Sequence, residues 1–277
     1  MKRLLLLLFL STSIFINMNA QSTSGHYADI NGLKLYYEIH GEGYPLVLLH
    51  GGGSTIESTF GRILPELAKK YKVIAVELQA HGHTLDIDRP LSFEQDADDV
   101  AALLKHLQIG KANIFGFSNG ATTSLQVAIR HSSLVNKLIL AAATYKRTGL
   151  VPGFFDGFET ATLSVMPKPL VAAYMKANSD SSGLQRMFSR DVERMKHFKD
   201  IPDTLIHGIK QPALVINGDK EVILPEHALE LSRTLQHGEL LIVPGNHGEY
   251  IGEICSTQKD DTLQNATLLL IKQFLDK

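Results

Sequence analysis

The sequence has almost no cysteine and almost no net charge, and each absence excludes a class of protein. Cys255 is the single cysteine among 277 residues. No disulfide can therefore form within the chain, and the folded state must depend on a hydrophobic core. The formal net charge is −2, from 27 Lys and Arg against 29 Asp and Glu, with no basic stripe. We therefore expect no nucleic-acid partner, because such a surface needs concentrated positive charge.

Internal repeats, low-complexity tracts and apolar runs long enough to favour a membrane-spanning helix are also missing from the sequence. Hydrophobic residues make up 44% of the chain and charged residues 20%, which is typical of globular proteins. The length suits one α/β domain with a sizeable core.

The first twenty residues differ from the rest of the chain. Lys2 and Arg3 precede a short apolar stretch at residues 4–10, and Ala20 offers a small residue before Gln21. This pattern is typical of a secretory signal peptide. We expect residues 1–20 to be removed on export, which leaves a periplasmic or secreted domain over residues 21–277 with no stable membrane span. An uncleaved N-terminal anchor is the alternative.

Short apolar runs alternate with helical patterns along the remaining chain. Asn31-Gly32 separates two apolar runs and favours a tight hairpin. Ser92 and Gln95 have the spacing of a helix capping box, and Pro225 suits the first turn of a helix. Six further runs are typical of buried strands: 46–49, 73–78, 112–117, 138–142, 213–216 and 240–243. The alternation predicts an α/β fold with a mostly parallel central sheet and helices on both faces.

This alternation stops between about residues 145 and 210. The segment contains four prolines and many large apolar side chains, namely Phe154, Phe155, Phe158, Met166, Tyr174, Met175, Met187 and Phe188. We interpret it as a helical cap over the C-terminal edge of the sheet, where apolar side chains could line a substrate pocket. For any one of these residues, packing between cap and body is the alternative.

A Gly-x-Ser-x-Gly sequence at residues 116–120 lies between a strand-like run and a helix-like one. The glycines fit a sharp strand-to-helix turn, which would raise the Ser118 hydroxyl above the sheet. The same turn would direct backbone N–H groups at the helix N-terminus toward developing negative charge. Ser118 is therefore a candidate nucleophile, and an ordinary glycine-bracketed turn is the alternative.

Two later loops contain the partners that a serine nucleophile needs, a base and an acid that orients the base. Residues 217–221 read Asn-Gly-Asp-Lys-Glu, and residues 244–248 read Pro-Gly-Asn-His-Gly. Each loop follows a predicted strand, where ligand sites of open α/β sheets gather. The order serine, acid, histidine is that of the fold whose serine sits on such a turn.

These motifs, with His-Gly-Gly-Gly at residues 50–53 and the turn at residues 79–83, resemble the α/β-hydrolase family over nearly the whole mature chain. The resemblance implies the α/β-hydrolase fold, with Ser118 as nucleophile and His247 as general base. Glu221 falls at the family's acid position, although Asp is commoner there, and Asp219 is its rival.

The resemblance also implies an oxyanion hole made by the backbone N–H groups of Gly52 and Asn119. His50 is expected to support the glycine loop, not to act as a base. His81 and His83 would suggest a metal only if further ligands converged. No cofactor or metal is expected.

We expect a serine hydrolase that cleaves a small or medium acyl ester through an acyl-enzyme on Ser118, so its partner is a small-molecule acyl substrate. A lactonase, thioesterase, peptidase or carbon–carbon hydrolase would use the same triad and stays open. A small-molecule-binding protein of the same fold with little turnover is the alternative from another class. Serine at the nucleophile position argues against epoxide hydrolase or haloalkane dehalogenase chemistry, which the resemblance assigns to Asp.

Overall fold

One mixed sheet forms the centre of the structure, a computed structural model that describes residues 25–277. Its eight strands are β1 (Gly25–Ile30), β2 (Leu33–His40), β3 (Tyr44–Leu49), β4 (Tyr71–Glu77), β5 (Ala112–Phe117), β6 (Val135–Ala141), β7 (Ala213–Gly218) and β8 (Gly238–Val243). The order is β1-β2-β4-β3-β5-β6-β7-β8. Only β2 runs against the others among the described strands. The predicted α/β fold with a mostly parallel sheet is confirmed. The predicted signal peptide lies outside the described residues.

Helices connect most of the parallel strands. The α-helices of the described chain are α1 (Ile56–Phe60), α2 (Leu64–Ala68), α3 (Phe93–His106), α4 (Asn119–Arg130), α5 (Lys168–Ala177), α6 (Ser181–Lys196), α7 (Asp203–His207), α8 (Pro225–Thr234) and α9 (Thr262–Asp276). Short 3-10 turns cover Ser132–Leu134, Arg147–Gly149, Asp156–Phe158, Leu163–Val165 and Glu249–Ile251. None of the helices within residues 25–277 has both the length and the apolar character needed to cross a bilayer.

The two faces of the sheet bury separate cores because side chains alternate along each strand. On β3, Leu46 and Leu48 belong to a cluster with side chains of α1, α2 and α9, including Phe60, Leu67 and Ile271. Val47 and Leu49 belong to a second cluster with side chains of α3, α4 and α8, including Leu103, Leu125 and Leu231. Helices therefore cover both faces, as the sequence pattern predicts.

The tight turn predicted at Asn31-Gly32 forms in full, whereas the capping box predicted at the start of α3 forms only in part. Asn31 and Gly32 both have positive φ, 50° and 81°, and they form the tight turn between β1 and β2. At α3, the Ser92 hydroxyl accepts the Gln95 N–H at 3.1 Å. The Gln95 side chain donates to Asp99 and does not return to Ser92. Only half of the predicted capping box therefore forms.

The segment between β6 and β7 contains α5, α6 and α7 in place of strands. Its helices have a small core of their own, in which Met166, Tyr174, Leu184 and Met187 pack with Ala80 of the body. This core joins the segment, hereafter the cap, to the loop that follows β4.

Candidate active site

Ser118 lies on a strained turn between β5 and α4. Its φ of 54° and ψ of −121° are unusual for a residue with a side chain, and such a conformation costs about 1–3 kcal/mol. A Cβ on Gly116 would collide with the carbonyl oxygen of Gly120, and a Cβ on Gly120 would collide with the carbonyl oxygen of Leu49. The two glycines are therefore required by close backbone approach, which is what a strand-to-helix nucleophile turn needs.

The glycine loop after β3 lies beside Ser118 and is supported by His50. His50 is buried, its Nδ1–H donates to the Gly51 carbonyl at 2.7 Å, and its Nε2 accepts the Leu78 N–H at 3.1 Å. One ring nitrogen must therefore donate while the other accepts, which describes a neutral imidazole. Burial lowers the pKa of His50 to about 3. This neutral side chain braces the loop.

The backbone amides of the glycine loop have different partners. The Gly51 N–H donates to Thr59 Oγ1 at 3.4 Å, and the Gly53 N–H donates to Asp191 Oδ2 at 2.7 Å. The Gly52 N–H has no acceptor within residues 25–277. Asn119 begins α4, where helix geometry leaves the backbone N–H without an intrahelical acceptor. The two amides predicted to form an oxyanion hole are therefore both available, and both residues line one cavity with Ser118.

Glu221 and His247 meet at the carboxyl ends of β7 and β8. Glu221 Oε2 accepts a hydrogen bond from His247 Nδ1 at 2.5 Å. The Glu221 side chain is fully buried, whereas 35% of the His247 side chain is exposed. Asp219 instead accepts the Gly245 N–H at 2.8 Å, which ties the two loops together. The structure thus brings Glu221, and not Asp219, into contact with the histidine.

Two opposing effects set the pKa of His247. Burial disfavours the charged imidazolium and lowers the pKa, but the charge and hydrogen bond of Glu221 outweigh it, so the pKa lies above the ordinary value. His247 Nε2 and the Ser118 hydroxyl have no hydrogen-bond partner in the described chain. The Phe117 ring lies 4.7 Å from the His247 ring, between centroids. The histidine therefore neighbours the nucleophile turn with one ring nitrogen unoccupied, and serine–histidine bonds often tighten only with substrate.

Buried residues that the sequence motifs do not indicate surround these groups. The hydroxyl of Tyr250 and the Oε1 atom of Glu221 are both buried without a hydrogen-bond partner among the described residues. Burial and the charge of Glu221 raise the pKa of Tyr250 well above its ordinary value. Tyr250 therefore stays neutral beside the carboxylate. The only signal for Tyr250 in the sequence is its place three residues after His247.

A cavity of about 240 Å³ lies between Ser118 and the cap. Of the large apolar cap residues singled out in the sequence, those that line it are Phe154, Phe158, Met166, Met187 and Phe188. Phe155, Tyr174 and Met175 do not line it, and Phe155 packs in the core of the body. Asp191 is the one charged residue in the described lining. The cavity is thus mainly apolar, and its lining includes the serine and the two residues whose amides are free.

The two histidines of the loop after β4 bind separate carboxylates. His81 Nε2 lies 3.0 Å from Asp191 Oδ2, and His83 Nδ1 lies 2.8 Å from Glu77 Oε2. In the part of the chain that the structure describes, no three His, Cys, Asp or Glu side chains converge as metal ligands would.

Comparison with known proteins gives relatives with hydrolase activities. The chain is 28% identical over 236 residues to the human serine hydrolase BPHL, covering 80% of this chain and 79% of that protein. It is 33% identical over 117 residues to a 2-hydroxy-6-oxo-6-(2'-aminophenyl)hexa-2,4-dienoic acid hydrolase of Metapseudomonas resinovorans, covering 41% of this chain and 40% of that protein.

The solved structures and family models give the same fold. The enol-lactonase of Burkholderia xenovorans LB400 superposes with a TM-score of 0.71 at 22% identity, covering 91% of this chain and all of that one (100%). The model of the alpha/beta hydrolase fold matches residues 44–204, which is more than half of the chain and spans the glycine loop, the nucleophile turn and most of the cap. The chain therefore belongs to the α/β hydrolase fold family.

Proposed function

We propose that this α/β-fold hydrolase is a serine esterase that cleaves a small or medium, uncharged acyl ester. The observation that carries the proposal is that Ser118 lines one cavity together with Gly52 and Asn119, whose backbone N–H groups have no acceptor in the described chain. An acyl carbon attacked by a serine develops negative charge on its oxygen, and two preorganised amides are suited to stabilise it.

In this proposal the Ser118 oxygen attacks the acyl carbon while its proton passes to His247 Nε2. The Nδ1–H stays hydrogen-bonded to Glu221, which orients the ring and stabilises the imidazolium. The negative charge moves to the former carbonyl oxygen, between the Gly52 and Asn119 amides. Collapse of this intermediate expels the alcohol, which takes the proton from His247. Water then attacks the acyl-enzyme by the same steps, which releases the acid and restores Ser118.

The cavity lining supports an uncharged acyl or alcohol group. None of the described lining residues is basic, and Asp191 contributes a carboxylate. Moving an unpaired carboxylate of a substrate into this apolar space would be costly. Aliphatic and aromatic groups would instead contact Phe154, Phe158 and Met187. A volume of about 240 Å³ suits a group of small or medium size.

The residues that line the cavity also favour cleavage of an ester bond over cleavage of a carbon–carbon bond. The name of the M. resinovorans relative describes an acid substrate, a dienoic acid, and the enol-lactonase is named for a cyclic ester. A carboxylate-bearing substrate would find no basic partner among the residues that line the described cavity. We therefore place ester or lactone cleavage ahead of dienoate cleavage for this chain.

A fluorophosphonate probe tests the nucleophile. We expect the probe to label the wild type and Ser133→Ala, in which an exposed serine is removed as a matched control, but not Ser118→Ala. Hydrolysis of p-nitrophenyl butyrate should fall by about 10³-fold or more in Ser118→Ala only. An unlabelled wild type with no esterase activity would instead support the binding-protein alternative.

A matched pair of substrates tests the acyl preference. Dimethyl adipate and monomethyl adipate have the same chain length, but the second carries a carboxylate at the far end. We expect kcat/KM for the dimethyl ester to exceed that for the monoester by about tenfold or more. A 2-hydroxy-6-oxohexa-2,4-dienoate should be cleaved slowly, as followed by the loss of its visible absorbance. Faster cleavage of the dienoate than of any ester would reverse the assignment.

A further inference from the structure

The glycine loop is held in place by a residue of the cap. Asp191 lies on α6, and its Oδ2 accepts the Gly53 N–H at 2.7 Å across a separation of 138 residues. The amide it binds directly follows Gly52. The preceding amide, of Gly51, is bound by Thr59 of the body. The loop is therefore fixed from the body on one side of Gly52 and from the cap on the other.

Charged partners hold the Asp191 carboxylate from two directions. Arg194, one turn later on α6, donates to Asp191 Oδ1. Arg194 also donates to Asp96 Oδ2 at 2.8 Å, and Asp96 belongs to α3 of the body. The side chains of Arg194 and Asp96 are 3% and 2% exposed. The cap is thus joined to the body by a row of charged side chains, Asp96, Arg194 and Asp191, and the last of these binds the glycine loop.

His81 of the body is the second cation beside Asp191. Its Nε2 faces Asp191 Oδ2 at 3.0 Å and its Nδ1 faces the Gln79 carbonyl at 2.8 Å. A carboxylate and a carbonyl can only accept, so both ring nitrogens must donate, which describes an imidazolium. Although burial opposes the charge, Asp191 raises the pKa of His81 above its ordinary value. Asp191 therefore has two cationic neighbours and one backbone donor, and its position is tightly determined.

We propose that Asp191 is a positioning residue for the oxyanion hole: by accepting the Gly53 N–H, it orients the Gly52 N–H toward the reacting carbonyl oxygen. The inference rests on the proposed serine hydrolysis. Its consequence is that the oxyanion hole is complete only when α6 is seated on the body, so the cap takes part in transition-state stabilisation as well as in enclosing the substrate.

A purely structural tether between cap and body would have different effects. It would lower thermal stability when broken and would change substrate binding and turnover without a preference for the transition state. A positioning residue acts on the tetrahedral oxyanion, so its loss lowers kcat and leaves KM nearly unchanged. Binding of a trifluoromethyl ketone, which forms a tetrahedral oxyanion on the serine, should weaken in parallel.

Two substitutions of Asp191 and one control test the inference. Asp191→Asn removes the charge, and Asp191→Glu keeps the charge but moves the carboxylate by one methylene. Arg190→Gln is the matched control because Arg190 is the adjacent residue on α6 and pairs with Asp86 of the body at 3.0 Å, without touching the glycine loop. Like the Asp191 substitutions, the control breaks a charged hydrogen bond between the cap and the body.

Rates are measured with p-nitrophenyl butyrate and are normalised to the fraction of Ser118 that a fluorophosphonate labels at completion, so that misfolded protein does not count. In either Asp191 variant we expect kcat to fall by about tenfold to a hundredfold, with KM within about twofold. The inhibition constant of a butyl trifluoromethyl ketone should rise by a similar factor. Arg190→Gln should change each of these constants by less than about threefold.

The inference is overturned if both Asp191 variants keep the wild-type kcat and ketone affinity, or if they change them no more than Arg190→Gln does. Asp191 variants that lower the melting temperature, and that change KM as much as kcat or leave both unchanged, would show a structural tether. An unlabelled, inactive wild type would instead reject the proposed function itself, so the two failures can be told apart.

Discussion

Two pairs of a carboxylate and an imidazole lie near Ser118, and they differ in the surroundings of the second ring nitrogen. In the pair Glu221–His247, at 2.5 Å, His247 Nε2 has no partner among the described residues. In the pair Asp191–His81, at 3.0 Å, the second nitrogen of His81 donates to the Gln79 carbonyl. The first ring can exchange a proton with a reacting group, whereas the second is bound at both ends.

Exposure reinforces this difference. The His247 side chain is 35% exposed and the His81 side chain only 1%. The same chemical pair is therefore suited to accept a proton where one ring nitrogen is open, and to remain a fixed cation where both ring nitrogens are bound. Contact between an acid and a histidine does not by itself identify a catalytic base, because the environment of the second ring nitrogen decides whether the histidine can accept a proton.

The largest expected effect comes from exchanging each histidine for glutamine. His247→Gln should lower kcat/KM for p-nitrophenyl butyrate by about 10³- to 10⁴-fold because the proton acceptor is lost. His81→Gln should cost about tenfold, since it disturbs only the support of the glycine loop. Steady-state kinetics on both variants checks this order, and equal losses would remove the distinction between the two pairs.

The next effect separates the two acids of the loop after β7. Glu221→Gln should lower kcat by about 10³-fold because the orienting carboxylate of His247 is lost. Asp219→Asn keeps an oxygen that can accept the Gly245 N–H, so kcat should stay within about twofold of the wild type. The opposite pattern of rates would transfer the orienting role to Asp219.

A smaller effect concerns the pH dependence of activity. Only neutral His247 can take the serine proton, so kcat/KM should decline as the pH falls through the pKa of this group. Because Glu221 raises that pKa, the midpoint should lie above the usual value of about 6.5. In Glu221→Gln burial would dominate and the midpoint should move down. A wild-type profile with its midpoint below that of the variant would contradict this explanation.

The smallest effect is a pH-dependent contribution of His81 to stability. The folded protein raises the pKa of His81, so the group stabilises the fold fully below its unfolded pKa of about 6.5. This contribution is lost as the pH rises through the folded pKa. Urea unfolding of wild type and His81→Gln should therefore show a larger difference in unfolding free energy at pH 6 than at pH 9. An unchanged difference would mean that His81 does not hold its proton.

The body of the fold could be predicted from the sequence because its signals are local. Apolar runs of strand length, separated by helical patterns, predict the sheet, and residues at strand ends share one edge. For this reason Ser118, Glu221 and His247 could be named from three short motifs. The choice of Glu221 over Asp219 depended on one position in a loop, and the observed contact with His247 agrees with it.

The bounds of the cap could be predicted from the sequence, but the contacts that join the cap to the body could not. Asp191 contacts Gly53 and His81, which lie 138 and 110 residues away. No periodic pattern encodes such distant pairs, and on α6 the same Asp reads as an ordinary helix partner of Arg194. The capping box at α3 stays half formed for a local reason, because Asp99, four residues later on the same helix, accepts the hydrogen bond of the Gln95 side chain. A distant partner therefore decided the Asp191 case, whereas a neighbour on the same helix decided the Gln95 case.

The close backbone approach at Gly116 and Gly120 has a consequence for altering this protein by directed evolution. A side chain at either position would collide with a carbonyl oxygen, and a Cβ on Gly51 would come within 3.1 Å of the Phe117 ring. Gly116 and Gly120 therefore cannot carry a side chain unless the backbone shifts, and a side chain at Gly51 would require the Phe117 ring to move. Cap residues such as Phe158 and Leu170 already present side chains to the cavity, so we expect new substrate preferences to be selected among them.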